Sequence, residues 1–193
     1  MSSISSIQPR TLADVIPGGL ARNVALVAGG ACFVGLTAQV SVPLPFTPVP
    51  LTLQTMSVLL TVAVLGSRRG VLSMALYVLA GMAGVPWFTA HNSGWAFATF
   101  GYVLGFVVAA LVVGHLAERG GDRTPLRAAG LMVLGNLAIY AVGVPGLMAF
   151  TDMSLSTALA TGAVPFLIGD AIKIAVAAGL LPIAWKLVGA DRR

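Results

Sequence analysis

Charge is what this sequence has least of. Asp, Glu, Lys and Arg make up 9% of its 193 residues, against about 25% in an ordinary soluble domain. With 58% apolar residues and a mean hydropathy of +0.95, that shortage points away from a soluble enzyme and towards an integral membrane protein. Cysteine is nearly missing too. The single Cys32 stands in an apolar run, so no intrachain disulfide can form and no redox compartment follows from it. His91 and His115 fall at opposite ends of the predicted helices with no second ligand at metal spacing, so no metal site is expected. There is no Gly-rich loop ending in Lys-Ser/Thr, no G-x-S-G serine and no second acid at membrane depth. ATP hydrolysis and intramembrane proteolysis therefore have no visible machinery, and neither enzymatic activity nor a cofactor is expected. The pI of about 10.2 does not signal nucleic acid, because the basic residues sit at loop ends and not in a stripe.

What is present is apolar sequence in long runs. A membrane-crossing helix needs about 20 residues. On that measure we expect an all-α integral membrane protein of six transmembrane helices, near 22–40, 51–66, 70–86, 95–117, 126–145 and 163–187. Residues 21–188 form one membrane domain in this reading, with no room for an attached ATPase. Residues 1–20 form a cytoplasmic segment lacking a signal-peptide core, and 189–193 a cytoplasmic tail. Orientation follows from charge. Arg10 and Arg22 precede helix 1, Arg68 and Arg69 fill the next turn on that side, Arg119, Arg123 and Arg127 lie between helices 4 and 5, and Lys186, Arg192 and Arg193 end the chain. The alternate loops 41–50, 87–94 and 146–162 hold no Lys or Arg. The positive-inside rule puts both termini in the cytoplasm and the chain in the cell membrane as a multi-pass protein. Loop 41–50 carries four prolines, which bar a continuous helix and favour an ordered cap. Loop 146–162 reads as a long neutral connection.

Against this background the charges inside the membrane stand out. Asp170 and Lys173 lie in VPFLIGDAIKIAVAAGLLPIAWKL at 164–187, on one helix face by their spacing of three. Asp170 is expected about 10 Å inside the outer end of helix 6. A charge at such depth costs roughly 2.5–3.5 kcal/mol on insertion scales and persists mainly where it has a task. The bland alternative is a brace between helices, although apolar residues would pack there at less cost. Asn136 and Tyr140 on helix 5, Gln54 opening helix 2, and Thr99 and Tyr102 on helix 4 are further polar groups at membrane depth. Each alone suits helix–helix glue; together they can line one polar patch in an apolar cavity. Ala21, Ala25 and Gly29 recur every four residues on helix 1. Such a stripe serves internal packing or the docking of another membrane subunit.

Five stretches carry a resemblance. VPLPFTPVPLTLQTMSVLL at 42–60, GSRRGVLSMALYVLAGMAGVPWF at 66–88, GYVLGF at 101–106, GNLAIYAVGVP at 135–145 and PFLIGDAIKIAVAAGLLP at 165–182 resemble the BioY family. These are the biotin-specific S components of energy-coupling-factor (ECF) transporters. The likeness spans about 20–187. It departs in helix 4, where family members often carry GPTGGY and this chain has ATFGY at 98–102, so that Thr99, Gly101 and Tyr102 match. The resemblance implies six helices, an outward-facing biotin pocket, and energising by a transmembrane T component and two ABC-type ATPases that alone use ATP. It implies biotin contacts for Asp170 and Lys173, and more weakly for Asn136 and Tyr140, and a T-component docking role for the helix 1 stripe. Biotin offers two ureido N–H donors, a carbonyl and a valerate carboxylate. Asp170 can accept from the ureido N–H groups, while Lys173 can serve either the carbonyl or the carboxylate. The same fold for another vitamin, a transporter working alone, an intramembrane enzyme and a purely structural subunit are the competing readings. A homo-oligomer is compatible with all of them.

Overall fold

The computed structural model describes residues 10–189. The expectations for 1–9 and 190–193, Arg192 and Arg193 included, lie outside the described residues. The chain is mainly helical, with α1 Leu20–Ala38, α2 Gln54–Met82, α3 Phe100–Glu118, α4 Pro125–Thr151, α5 Leu155–Gly162 and α6 Leu167–Leu187. Five stretches are long and apolar enough to cross a membrane: α1, α2, α3, α4, and the run Leu155–Leu187 that joins α5 to α6.

The second of these stretches folds back on itself. Gly66 at its middle has φ 80° and ψ 179°, outside helical space. Glycine alone adopts such a conformation without strain. The side chains of Gln54 and Tyr77 are hydrogen-bonded at 2.7 Å, although a straight helix would hold residues 23 apart about 34 Å from each other. The arms 54–65 and 67–82 therefore lie side by side. This is the turn expected between helices 2 and 3, placed at Gly66 and not at 67–69.

α3 sits at the centre, against both arms of α2 on one side and α4 on the other; α1 covers α2, and α6 covers α4. The contacts are close because small residues face each other. A Cβ on Gly101 would fall 2.7 Å from the Gly146 Cα, and one on Gly114 would fall 2.5 Å from the Ser67 Cα and N.

Several boundaries differ from those expected. α3 starts at Phe100, not at 95, because 95–99 leave Gly94 (φ 81°) and tuck Phe97 between Phe88 and Phe100, with ring centroids 5.6 Å from each. Thr99 thus precedes the helix instead of lying on it. α2 stops at Met82, ahead of Gly84 (φ 108°) and Pro86. α4 does not stop at Pro145; it runs on to Thr151 and ends at Asp152, in the left-handed region. A proline is tolerated inside a membrane helix where a neighbouring helix supports the backbone, and here α3 packs against it at Gly146. The expected long connection 146–162 is consequently the last turns of α4 followed by α5. Ser154 caps α5, its Oγ accepting from Thr157 N at 3.3 Å. Pro165 forms a 3-10 turn, Val164–Phe166, so α6 begins at Leu167 and Asp170 lies in its first turn. That is about 5 Å along the helix and not 10 Å.

The two ends of the bundle differ in chemistry. At one end the loops without Lys or Arg meet. Ser41–Val42 pairs with Leu51–Thr52 as a short antiparallel hairpin enclosing the prolines. Thr47 Oγ1 from its tip donates to Thr161 O of α5 at 2.7 Å. Gln39, just past α1, donates from Nε2 to Trp87 O (3.0 Å) and Phe88 O (3.1 Å). At the other end the charged loops meet. Arg69 pairs with Asp14, and Glu118 accepts from Ser67 N (2.7 Å) and Oγ (2.8 Å). Burial alone would raise the Asp14 carboxyl; hydrogen bonds from Arg69 and Thr11 hold it below its ordinary value. Asp122 is fully buried and accepts from Trp185 Nε1 at 2.7 Å, while the Arg123 guanidinium lies 4.4 Å over the same indole. Burial pushes the Asp122 carboxyl above its ordinary value.

Candidate functional site

Asp170 is 4% exposed. Its place in the first turn of α6 puts a carboxylate where the helix dipole favours negative charge. Oδ1 accepts from Lys173 Nζ at 3.3 Å, and Oδ2 accepts from the Tyr140 hydroxyl. Lys173 Nζ also donates to Thr55 Oγ1 at 3.0 Å. The pair is therefore one link in a chain of polar groups drawn from α2, α4 and α6.

A second polar group faces it. Gln54 donates from Nε2 to the Tyr77 hydroxyl at 2.7 Å and accepts at Oε1 from Thr89 Oγ1 at 3.1 Å. The Tyr77 hydroxyl in turn donates to Trp87 O at 3.2 Å. Gln54 is thus held by the loop that follows α2. Tyr102 donates to Gly162 O at 2.8 Å, and its ring meets Tyr140 edge-on with centroids 6.4 Å apart. One turn below Tyr140, the Asn136 side chain makes no hydrogen bond among the described residues, so both ends of its amide stay available to a ligand.

These residues surround a single cavity. Gln54, Thr99, Tyr102, Asn136, Tyr140, Asp170 and Lys173 all line it. The remaining walls are largely apolar and aromatic, with Phe88, Phe97, Phe106 and Phe166 prominent. The space inside it is about 60 Å³, and about 640 Å³ when the open solvent at its mouth is counted. The mouth lies at the uncharged end, between the proline hairpin and the loop around Thr89. Thr55, Thr89, Thr52 and the Phe rings also line the cavity and were missed in the sequence. Thr55 belongs to the quoted LTLQT string, yet nothing in that string marks its hydroxyl as the partner of a lysine more than a hundred residues away.

Ala21, Ala25 and Gly29 are exposed on α1, and nothing lies within 4 Å of a Cβ built on Gly29. Internal packing therefore does not account for this stripe. The packed face of α1 includes Gly30, against Ser73 and Thr61.

An all-helical, multi-pass membrane protein with an amphiphilic cavity at membrane depth is the class that this fold and site define. The sequence model of the BioY family matches residues 6–190, and the chain belongs to that family. It is 38% identical over 154 residues to the biotin transporter BioY of Thermotoga maritima, covering 78% of this chain and 89% of that protein. It is 35% identical over 172 residues to the probable biotin transporter BioY of Pyrococcus horikoshii, covering 88% and 98%. A crystal structure described as the S-component for biotin from an ECF-type ABC transporter shares the fold, with a TM-score of 0.77, 21% identity, and coverage of 86% of this chain and 92% of that one.

Proposed function

We propose that this protein is the substrate-capturing S component for biotin uptake across the cell membrane. The observation that carries this reading is the convergence on one cavity of every polar residue singled out at membrane depth, around the Asp170–Lys173 pair. Relatives named as biotin transporters support the choice of ligand. Asp170 and Tyr140 take the ureido ring, Asn136 and Gln54 add amide contacts, Lys173 meets the carbonyl or the carboxylate, and Thr99 and Tyr102 close the mouth side. The Phe rings suit the apolar thiophane ring. Capture needs no cofactor; a T component and two ABC-type ATPases supply the energy. Binding of radiolabelled biotin to the purified protein, in parallel with thiamine and riboflavin, tests this. Tight binding of another vitamin with indifference to biotin would overturn it.

The bent α2 supports six crossings, since its two arms run in opposite senses about Gly66. Both termini then face the cytoplasm with the arginine loops. Tags at either terminus and a cysteine at Arg68 are expected to report cytoplasmic, and a cysteine within 87–94 to react with an impermeant reagent from outside. An externally labelled C-terminus contradicts this arrangement.

The exposed stripe of Ala21, Ala25 and Gly29 suits close approach by a T-component helix. Ala25→Leu is expected to reduce transport severely while leaving biotin binding unchanged. Transport at the normal rate would remove the stripe from the docking surface.

A further inference from the structure

A second concave surface lies at the charged end, far from the cavity mouth, between α1 and the second arm of α2. Its volume is about 1,080 Å³. One end is cationic, formed by Arg10, Arg22, Arg68 and Arg69. Two acids share that end, and each is engaged: Asp14 with Arg69 and Thr11, and Glu118 with Ser67. Among the described residues Arg10, Arg22 and Arg68 form no ion pair. Arg69 keeps its Nη1 buried without a hydrogen-bond partner. Arg22 donates to Ile16 O and Asn23 Oδ1, neither of them charged, and among the described residues the arginines at this end outnumber the acids.

From this end the groove runs along an apolar floor. Val24 and Val27 of α1 face Leu72, Leu76 and Leu79 of α2. Leu72 is 59% exposed and Leu79 64%. From Arg69 to Leu79 is ten residues, or about 15 Å of helix, half of a hydrocarbon core roughly 30 Å thick. An occupant matching this shape is cationic-seeking at one end and one leaflet deep at the other. The groove also lies on a different side of α1 from the small-residue stripe. At 3.6 residues per turn, Val24 and Val27 point into it whereas Ala25 and Gly29 turn away, and none of Ala21, Ala25 and Gly29 lines it.

We propose that this groove binds an anionic phospholipid of the leaflet on the arginine side, its phosphate between the Arg10, Arg22 and Arg68 guanidinium groups and one acyl chain along Leu72, Leu76 and Leu79. Basic pockets between helices at a membrane surface recognise anionic headgroups by this charge match. The inference depends on the membrane character of the chain and not on which solute the cavity takes.

Native mass spectrometry of the detergent-purified full chain tests it, using phosphatidylglycerol and phosphatidylcholine with identical acyl chains. Phosphatidylglycerol is expected to be retained in preference. The double variant Arg10→Gln/Arg68→Gln removes two charges worth about fivefold each, so the preference should fall by roughly 25-fold. Neither side chain makes a hydrogen bond among the described residues, and neither lines the cavity, so biotin binding should be unchanged and reports the fold. Leu76→Trp, which fills the floor, should reduce retention of phosphatidylglycerol without touching the arginines. Equal retention of the two lipids, or undiminished preference in the double variant, overturns the proposal. So does displacement of the lipid by glycerol phosphate at equal concentration, which would make the site one for a soluble anion.

Discussion

Asp170→Asn is expected to weaken biotin binding by two or more orders of magnitude. The substitution keeps the shape of the side chain and one acceptor oxygen. It removes the charge that Lys173 meets at 3.3 Å and the charged acceptor of the Tyr140 hydroxyl. Lys173 is left without a counter-charge, held by Thr55 in a cavity with many apolar and aromatic walls. Removing one partner of a buried pair typically costs about 3–5 kcal/mol, part of it the penalty on the survivor, and each 1.4 kcal/mol is about tenfold. The double variant Asp170→Asn/Lys173→Met separates a brace from a ligand site. It removes both charges, so the fold should be kept, and a ligand site should still fail to bind. Near-native affinity of the double variant in isothermal titration would sink the assignment of this pair to the ligand.

Gly114→Ala should destabilise the protein by about 2–3 kcal/mol, at the upper end of what overpacking costs. The new Cβ would fall 2.5 Å from the Ser67 Cα and N. Both are backbone atoms, so no side chain can swing aside. Ser67 cannot retreat either, because Glu118, one turn along α3 from Gly114, holds its N–H and its hydroxyl. Gly66 beside it already occupies a conformation that suits glycine alone. Gly130→Ala is the control. It lies in α4 with nothing within 4 Å of its Cβ, and it should be neutral or stabilising, since alanine is the better helix former by about 1 kcal/mol. Thermal unfolding in detergent compares the two; equal midpoints would show that α3 and the α2 bend can separate at little cost.

The parts of the fold legible in the sequence were those marked by charge or by uninterrupted apolar length. The α2 turn announced itself through Arg68 and Arg69 between two apolar runs. What escaped depended on neighbours. Pro145 reads as a helix stop, and only the packing of Gly146 against Gly101 shows why α4 continues past it. α5 has eight residues rich in Ser, Thr and Ala, too short and too polar to stand out from a loop. α6 starts at Leu167 and not at the expected 163, because Pro165 lies in a 3-10 turn that precedes it. The cavity shows the same division. Asp170, Lys173, Asn136 and Gln54 were conspicuous because polar groups are costly at that depth. Thr55 and Thr89 were not, since a threonine hydroxyl can satisfy itself within its own helix or turn. Phe88 and Phe97 are indistinguishable in sequence from any buried aromatic.

On the proposed role in uptake, the Asp170–Lys173 pair also sets an electrical condition. Its two formal charges cancel, so the cavity carries none of its own into the membrane. A ligand bearing one carboxylate then makes a complex with a net charge of −1. Carrying that charge towards a cytoplasm at negative potential requires work, about 2.3 kcal/mol for every 100 mV crossed. The membrane potential therefore opposes inward movement of an anionic cargo in this cavity, and binding energy spent at the outer face is not available to drive it. Net accumulation must draw on a separate source of free energy.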